Sequence, residues 1–189
     1  MTKAALRKLY KAKRLALTDK EKMKLDDLLL IQFQQLGVPA ISCLMSYWPM
    51  PHQHEPNTQL FTSYYRHLIP NLHICYPVTN INDLSMQAML IDEDTVYTTS
   101  NFGVTEPISD MVVPPAEIDL VFVPMLAYDN QGYRVGYGKG FYDRFLQQCH
   151  PSVITIGFSY FEPVNKIEDR NGFDVPLNYC ITPDTIYEF

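Results

Sequence analysis

The sequence predicts an α/β chain, a three-layer α/β/α sandwich around a mainly parallel central sheet. Three observations predict it. Apolar runs of strand length, "AISCLMSYW" (40–48), "HICYPV" (73–78), "DLVFVP" (119–124) and "VITIGFSY" (153–160), are separated by stretches of helical character, the pattern of βαβ units. The run at 119–124 is continuously apolar, as suits a strand covered on both faces. At 189 residues, with 47% hydrophobic and 19% charged residues, the chain can bury a substantial core and reads as one domain over 1–189.

Taken in order, residues 3–17 read as a helix with Leu6, Leu9, Ala5, Ala12 and Ala16 on its apolar side. Lys3, Arg7 and Arg14 recur at four- and seven-residue spacing and share one face. "TDKE" at 18–21 is a capping box, with Thr18 capping a second helix and Glu21 reaching back; that helix stops at Gly37, a good residue for the turn after a helix end. The strand at 40–48 closes at Pro49 and Pro51. A helix over 57–68 starts from a polar cap at Asn57 or Thr58, and the strand at 73–78 follows. "SMQAMLI" and "TVYTT" within 84–106 are strand-like, split by the acidic turn "DED". After the strand at 119–124 comes a glycine-rich loop and the helical "KGFYDRFLQQC" (139–149). A strand at 153–160 and a last short one within 179–188 complete the chain. The longest irregular stretches, 49–56 and 160–176, are candidate active-site loops.

Charge and cysteine usage exclude several classes. No apolar run approaches the ~20 residues that a membrane helix needs. The first residues lack the apolar core of a signal peptide, so the mature chain is expected to start here. Cys43, Cys75, Cys149 and Cys180 are far apart, with no CxxC pair, which excludes a compact zinc knuckle and points to reduced thiols in the cytoplasm. A net charge of −6 argues against a nucleic-acid partner. The first fourteen residues nevertheless hold six Lys/Arg and no acid, an asymmetry that calls for an anionic neighbour.

"YRVGYGKGFYDRF" (133–145) carries the chemistry. Gly136, Gly138 and Gly140 stand at every second position, which costs backbone entropy and lets a ligand approach the main chain. In open α/β sheets ligands bind beyond the carboxyl ends of the strands, where this loop falls. Free amides at a helix start suit phosphate, and Arg134 and Lys139 add positive charge. Neither the P-loop nor the dinucleotide fingerprint fits: the first lacks its leading glycine at Tyr133 and its Ser/Thr at Gly140, and the second lacks its last glycine at Phe141. A glycine turn shaped only by packing is the plainer alternative. Asp143, in the first helical turn, either complements the helix dipole or, beside a triphosphate, ligates Mg²⁺. His52 and His54 form an H-x-H with no third ligand nearby.

The stretch "VFVPMLAYDNQGYRVGYGKGFYDRFL" resembles the signature of the 5-formyltetrahydrofolate cyclo-ligases, also called methenyltetrahydrofolate synthetases. "KAALRKLYKAKR", "HEPNT", "NFGVTEP" and "FDVPLNYCITP" resemble further segments of that family, in order, over most of the chain. The resemblance implies the architecture shared with sugar-phosphate isomerases and CoA-transferases. It also implies ATP- and Mg²⁺-dependent closure of 5-formyltetrahydrofolate to 5,10-methenyltetrahydrofolate, with ADP and phosphate released. In that chemistry the formyl oxygen is phosphorylated to make it a leaving group, so positioning and charge neutralisation matter more than a nucleophile.

By the same resemblance, ATP would be bound by Lys3, Ala4, Ala5, Leu6 and Arg7 and by Arg134, Val135, Gly136, Tyr137, Gly138, Lys139, Gly140, Phe141 and Tyr142. Arg134, Lys139 and Tyr142 would be catalytic, and Asp143 and Asp174 would hold magnesium. Glu55 would accept hydrogen bonds from the pterin, with Phe102 and Tyr142 as walls and either Met50 or Met45 as an apolar contact. The chain departs from the family pattern at Tyr137 (often Arg), Met125 (often Gly), Phe173 (often His) and Asn178 (usually Asp). A non-catalytic folate- or nucleotide-binding protein is the reading those changes keep open. A monomer is expected, with no nucleic-acid or membrane partner.

Overall fold

The computed structural model describes residues 1–37, 39–100 and 103–189. Helix α1 (Lys3–Leu15) is followed by α2 (Asp19–Gln35), strand β1 (Cys43–Met45), α3 (Thr58–Leu68), β2 (His73–Asn80) and β3 (Ser85–Leu90). Next come β4 (Val96–Thr99), β5 (Thr105–Ile108), β6 (Val112–Val113), β7 (Leu120–Val123), β8 (Ala127–Tyr128) and β9 (Arg134–Val135). Helix α4 (Phe141–Leu146), β10 (Ile154–Phe158), β11 (Tyr179–Ile181) and β12 (Ile186–Glu188) complete the order. Among the described residues no helix is long and apolar enough to cross a membrane.

Eight strands form the main sheet in the order β12-β11-β10-β7-β1-β2-β3-β6. The pairings from β11 through β10, β7 and β1 to β2 are parallel, and antiparallel strands extend both edges. The chain crosses from β1 to β2 in one direction and from β7 to β10 in the other. The order therefore reverses between β1 and β7, the place where open α/β sheets bind ligands. Two loops of interest leave from the carboxyl ends of these two neighbours.

Alternation along β7 builds the two cores, since successive side chains point to opposite faces. Leu120 and Phe122 face Leu29 and Phe33 of α2 and Phe61 and Tyr65 of α3, together with Leu44, Ile156, Phe158 and Ile181. Val121 and Val123 face the other way, with Met45, Cys75, Cys180 and with Phe145 and Leu146 of α4. Helices thus cover both faces. A third cluster joins Leu6 and Tyr10 of α1 to Leu126, Ala127, Val135 and Ile167, so α1 packs on the β8–β9 hairpin.

The sequence reading holds for most elements and fails at four places. On α1 the buried residues are Leu6, Tyr10 and Arg14, whereas Ala5, Leu9, Ala12 and Ala16 are exposed. The basic face is the inward one, because Arg14 finds hydrogen-bond acceptors inside. The helix expected over 139–149 is only Phe141–Leu146; after it, Gln148 and Cys149 donate to residues three back, Phe145 and Leu146, the tighter turn common at helix ends. The β8–β9 hairpin was not expected at all, nor was the pairing of two strands, β11 and β12, at the carboxyl end.

Candidate functional site

The hairpin decides what the glycine run can do. Arg134 and Val135 belong to β9 rather than to a loop. Val135 is fully buried in the α1 cluster, so its side chain is structural. Arg134 is buried; its guanidinium donates to Asp143 Oδ1 at 2.8 Å and to the Val175 carbonyl. Burial pushes this guanidinium's pKa down, and the neighbouring Asp143 and Asp174 oppose that. Val175 N–H donates to the same Asp143 Oδ1 at 3.2 Å. One buried arginine therefore ties the glycine loop to α4 and to the long 160–176 loop.

Beyond Val135 the chain must turn back, and two of the three glycines have backbones that other residues rarely adopt. Gly138 has φ 97° and Gly140 has φ 69°. Gly136 has an ordinary φ, and a Cβ there would come no nearer than 4.0 Å to another residue. Close approach is also already used within the protein. A Cβ on Gly138 would lie 3.2 Å from Arg7 Cζ, and one on Gly140 would lie 3.1 Å from Arg144 Nη1. Arg7 Nε donates to the Gly136 carbonyl at 2.8 Å. The bare backbone is thus a seat for two guanidinium groups before any ligand is considered. These cations are delivered to one loop from two helices.

Lys139 is exposed and makes no ion pair among the described residues. Lys3 is already engaged: its ammonium lies 2.6 Å from both oxygens of Asp174. Its backbone N–H donates to Asp169 Oδ1 at 2.6 Å. The amides of Ala5 and Leu6 donate to Thr2, and Leu6 is fully buried in the core. Of the α1 stretch, then, the side chains of Lys3 and Arg7 are the groups brought to the site. Phe141 packs against the core with the Arg144 guanidinium 5.9 Å from its ring centre.

The loop after β1 supplies the second half. Glu55 is 2% exposed. Its Oε2 accepts from Met50 N–H at 2.7 Å, and its Oε1 accepts from the Tyr137 hydroxyl. Burial raises the Glu55 pKa above the usual carboxylate value; the Tyr137 hydroxyl, the Met50 amide and the charges of Arg14 and His52 pull it back. A carboxylate buried among such donors is a marker of a functional site. Each oxygen keeps a lone pair for another donor. At this exposure, a ligand reaches them only when a covering side chain gives way. Tyr142 is half-buried, and its hydroxyl pKa is raised by burial first and by the Glu55 charge second.

Met45 is fully buried in β1, whereas Met50 is half-buried and bonds Glu55, so Met50 is the methionine at the site. Phe102 lies outside the described residues; the β4–β5 hairpin on either side of it packs through Tyr97 on Trp48, with ring centres 4.9 Å apart. His52 lies against Gly103, where a Cβ would come 2.3 Å from its ring. No cluster of three or more His, Cys, Asp or Glu among the described residues could hold a metal unaided.

The four departures separate cleanly. Asn178 Oδ1 accepts from Thr155 N–H and Oγ1 at 2.8 and 2.9 Å, knitting β10 to β11. Met125 fills the space over Gly157, and Phe173 is exposed. Only Tyr137 enters the site. Sequence reading missed Arg14, which is 3% exposed and donates to Tyr137 Oη at 2.6 Å and to the Met125 carbonyl at 3.1 Å. Its seven-residue spacing from Arg7 was the available signal.

Comparison with known proteins gives a consistent result. Residues 1–183 match the 5-formyltetrahydrofolate cyclo-ligase family. The 5-formyltetrahydrofolate cyclo-ligase of Haemophilus influenzae is 39% identical over 88 residues, 44% of this chain and 46% of that protein. That of Mycoplasma pneumoniae is 29% identical over 188 residues, 97% of this chain and 100% of that protein. The solved 5,10-methenyltetrahydrofolate synthetase from Mycoplasma pneumoniae aligns with a TM-score of 0.74 at 28% identity, covering 96% of this chain and 98% of that one.

Proposed function

This chain belongs to the 5-formyltetrahydrofolate cyclo-ligase family, and from that premise we propose that its site performs an ATP- and Mg²⁺-dependent ring closure. In this reading 5-formyltetrahydrofolate becomes 5,10-methenyltetrahydrofolate while ATP becomes ADP and phosphate. The observation that carries it is the junction at the sheet's reversal point, where a glycine loop lined by Arg7, Arg144 and Lys139 meets the loop that presents Glu55. One loop has the charge for a triphosphate and the other has the acceptor for a pterin's N–H groups.

The residues then divide the work by charge. The formyl oxygen attacks the terminal phosphorus and the bond to ADP breaks. N10 next adds to the formyl carbon, the C–O bond breaks, and inorganic phosphate leaves with the N10 proton. Both displacements need negative charge to be neutralised and reacting atoms to be held in line. Lys139 and Arg7 meet the phosphate oxygens, with Lys3 able to join them. The short α4 contributes little dipole, so loop amides and these cations carry the binding. Arg134 holds the loop and Asp143 in place. Glu55 orients the pterin, with Met50 and Tyr142 against it.

Magnesium fits Asp143. Both hydrogen bonds to that side chain use Oδ1, which leaves Oδ2 for a cation, and Mg²⁺ commonly takes one or two carboxylates with phosphate oxygens. Asp174 is held by Lys3 and becomes available when a triphosphate draws that lysine away. The bound cation would supply charge neutralisation on the polyphosphate. The test is appearance of the methenyl chromophore from 5-formyltetrahydrofolate, ATP and Mg²⁺. Product only in the complete mixture supports the reading, and product without ATP overturns it.

A further inference from the structure

Glu55 is held by a chain of side chains that begins on α1. Arg14 is buried with no carboxylate in ion-pair range among the described residues, and its Nε has no partner. A buried guanidinium in that state is costly unless its charge is used. Its Nη2 reaches the Tyr137 hydroxyl, and that hydroxyl donates to Glu55 Oε1. Tyr137 lies between Gly136 and Gly138, inside the loop assigned to the triphosphate. Its ring is partly exposed while its hydroxyl is fixed at both sides.

We propose that Tyr137, braced by Arg14, is the positioning residue for Glu55 and ties the folate subsite to the nucleotide loop. This rests on Glu55 being the folate contact. The arrangement has a chemical logic. A phenol between a guanidinium and a carboxylate gives its proton to the carboxylate and its lone pair to the cation, so the charge of Arg14 is felt at Glu55 without a direct pair that would occupy both carboxylate oxygens. The pterin-facing lone pairs stay free. A shift of the loop that carries Tyr137 is passed to Glu55 through one hydrogen bond.

The groups facing Glu55 come from every neighbouring element: Tyr137 from the glycine loop, Arg14 from α1 and His52 from its own loop. Tyr47 follows β1, Tyr142 lies on α4, and Tyr160, itself bonded to Asp26 of α2, donates to the Glu55 carbonyl. Of these, Tyr137 is the one that bonds the carboxylate. Removing its hydroxyl takes away the largest of the contributions that lower the Glu55 pKa.

The experiment is steady-state kinetics of the full chain over a pH series for the natural protein, Tyr137→Phe, Arg14→Lys and Glu55→Gln. For Tyr137→Phe, the KM for 5-formyltetrahydrofolate should rise about tenfold, the size of one lost hydrogen bond to a charged group. The acid limb of kcat/KM for that substrate should move to higher pH, while the KM for ATP changes by a smaller factor than the KM for the folate. Arg14→Lys should move the acid limb in the same direction by less. An unmoved acid limb and folate KM in Tyr137→Phe overturn the proposal, as does a rise confined to the KM for ATP. Failure of the underlying assignment looks different, because Glu55→Gln would then leave the folate KM unchanged. Melting of each variant separates these effects from misfolding, and if Arg14→Lys does not fold, Tyr137→Phe alone decides.

Discussion

Gly136 and Gly138 sit two residues apart in one loop and answer to different constraints. Gly138 combines a left-handed backbone with an arginine pressed against it, so Gly138→Ala should cost about 1–2 kcal/mol from backbone strain alone and displace Arg7. Gly136→Ala should leave stability within about 0.5 kcal/mol, because its φ is ordinary and space is available. Paired thermal melts check both; equal losses would mean that the loop tolerates or rejects side chains for some other reason. Glu55 carries a prediction of its own. Burial holds its folded pKa above the unfolded value, so its favourable contribution to stability is present below the unfolded pKa and is lost as pH rises through the folded one. The part of the stability decline that accompanies that titration should vanish in Glu55→Gln, measured as melting temperature against pH. A carboxylate kept buried at a stability cost is the exchange expected of a functional group, in line with the proposed folate contact.

At the scale of the element, caps and periodicity were the legible features. The Thr18 capping box is complete, with Glu21 N–H on Thr18 Oγ1 and the Glu21 carboxylate on Thr18 N–H. Thr18→Ala should lower stability by about 1 kcal/mol, read by denaturant titration. The hydrogen bonds to Thr18 lower the Glu21 pKa, so the cap strengthens above the unfolded pKa and weakens as pH falls through the folded one. The strand at 119–124 was readable because burial on both faces makes it almost continuously apolar, and the one at 153–160 because only Thr155 and Ser159 interrupt its apolar run. Helix α1 was misread because an inward Arg14 looks like a solvent-facing residue until its acceptors, the Met125 carbonyl and Tyr137, are brought to it from more than a hundred residues away. The β8–β9 hairpin was invisible because its strands are two residues each, too short for a period to show.

For the whole molecule, the sheet order does what no local pattern announces: it sets β1 beside β7 and so brings the Glu55 loop to the glycine loop. The glycine run, Lys3, Arg7 and Asp143 stood out as residue types, whereas Glu55 and Asp174 were picked out only by the family resemblance; that Lys3 pairs with Asp174 and Arg134 with Asp143 depends on long-range folding. The frame holding these loops is the aromatic core around Phe33, whose ring centre lies 4.5 Å from that of Tyr65 and 5.3 to 5.8 Å from those of Phe61, Phe122 and Phe158. Phe33→Ala should cost about 3–5 kcal/mol and lower activity through unfolding rather than through KM.

The central claim is that the glycine loop and its cations form the nucleotide site, and calorimetric titration of ATP with Mg²⁺ into the natural protein and Lys139→Ala tests it most directly. Lys139 is exposed and unpaired among the described residues, so the variant should melt like the natural protein. Its ATP affinity should fall about ten- to a hundredfold, the range for one lost contact between a charged donor and phosphate. Unchanged affinity in a correctly folded Lys139→Ala protein would contradict the account.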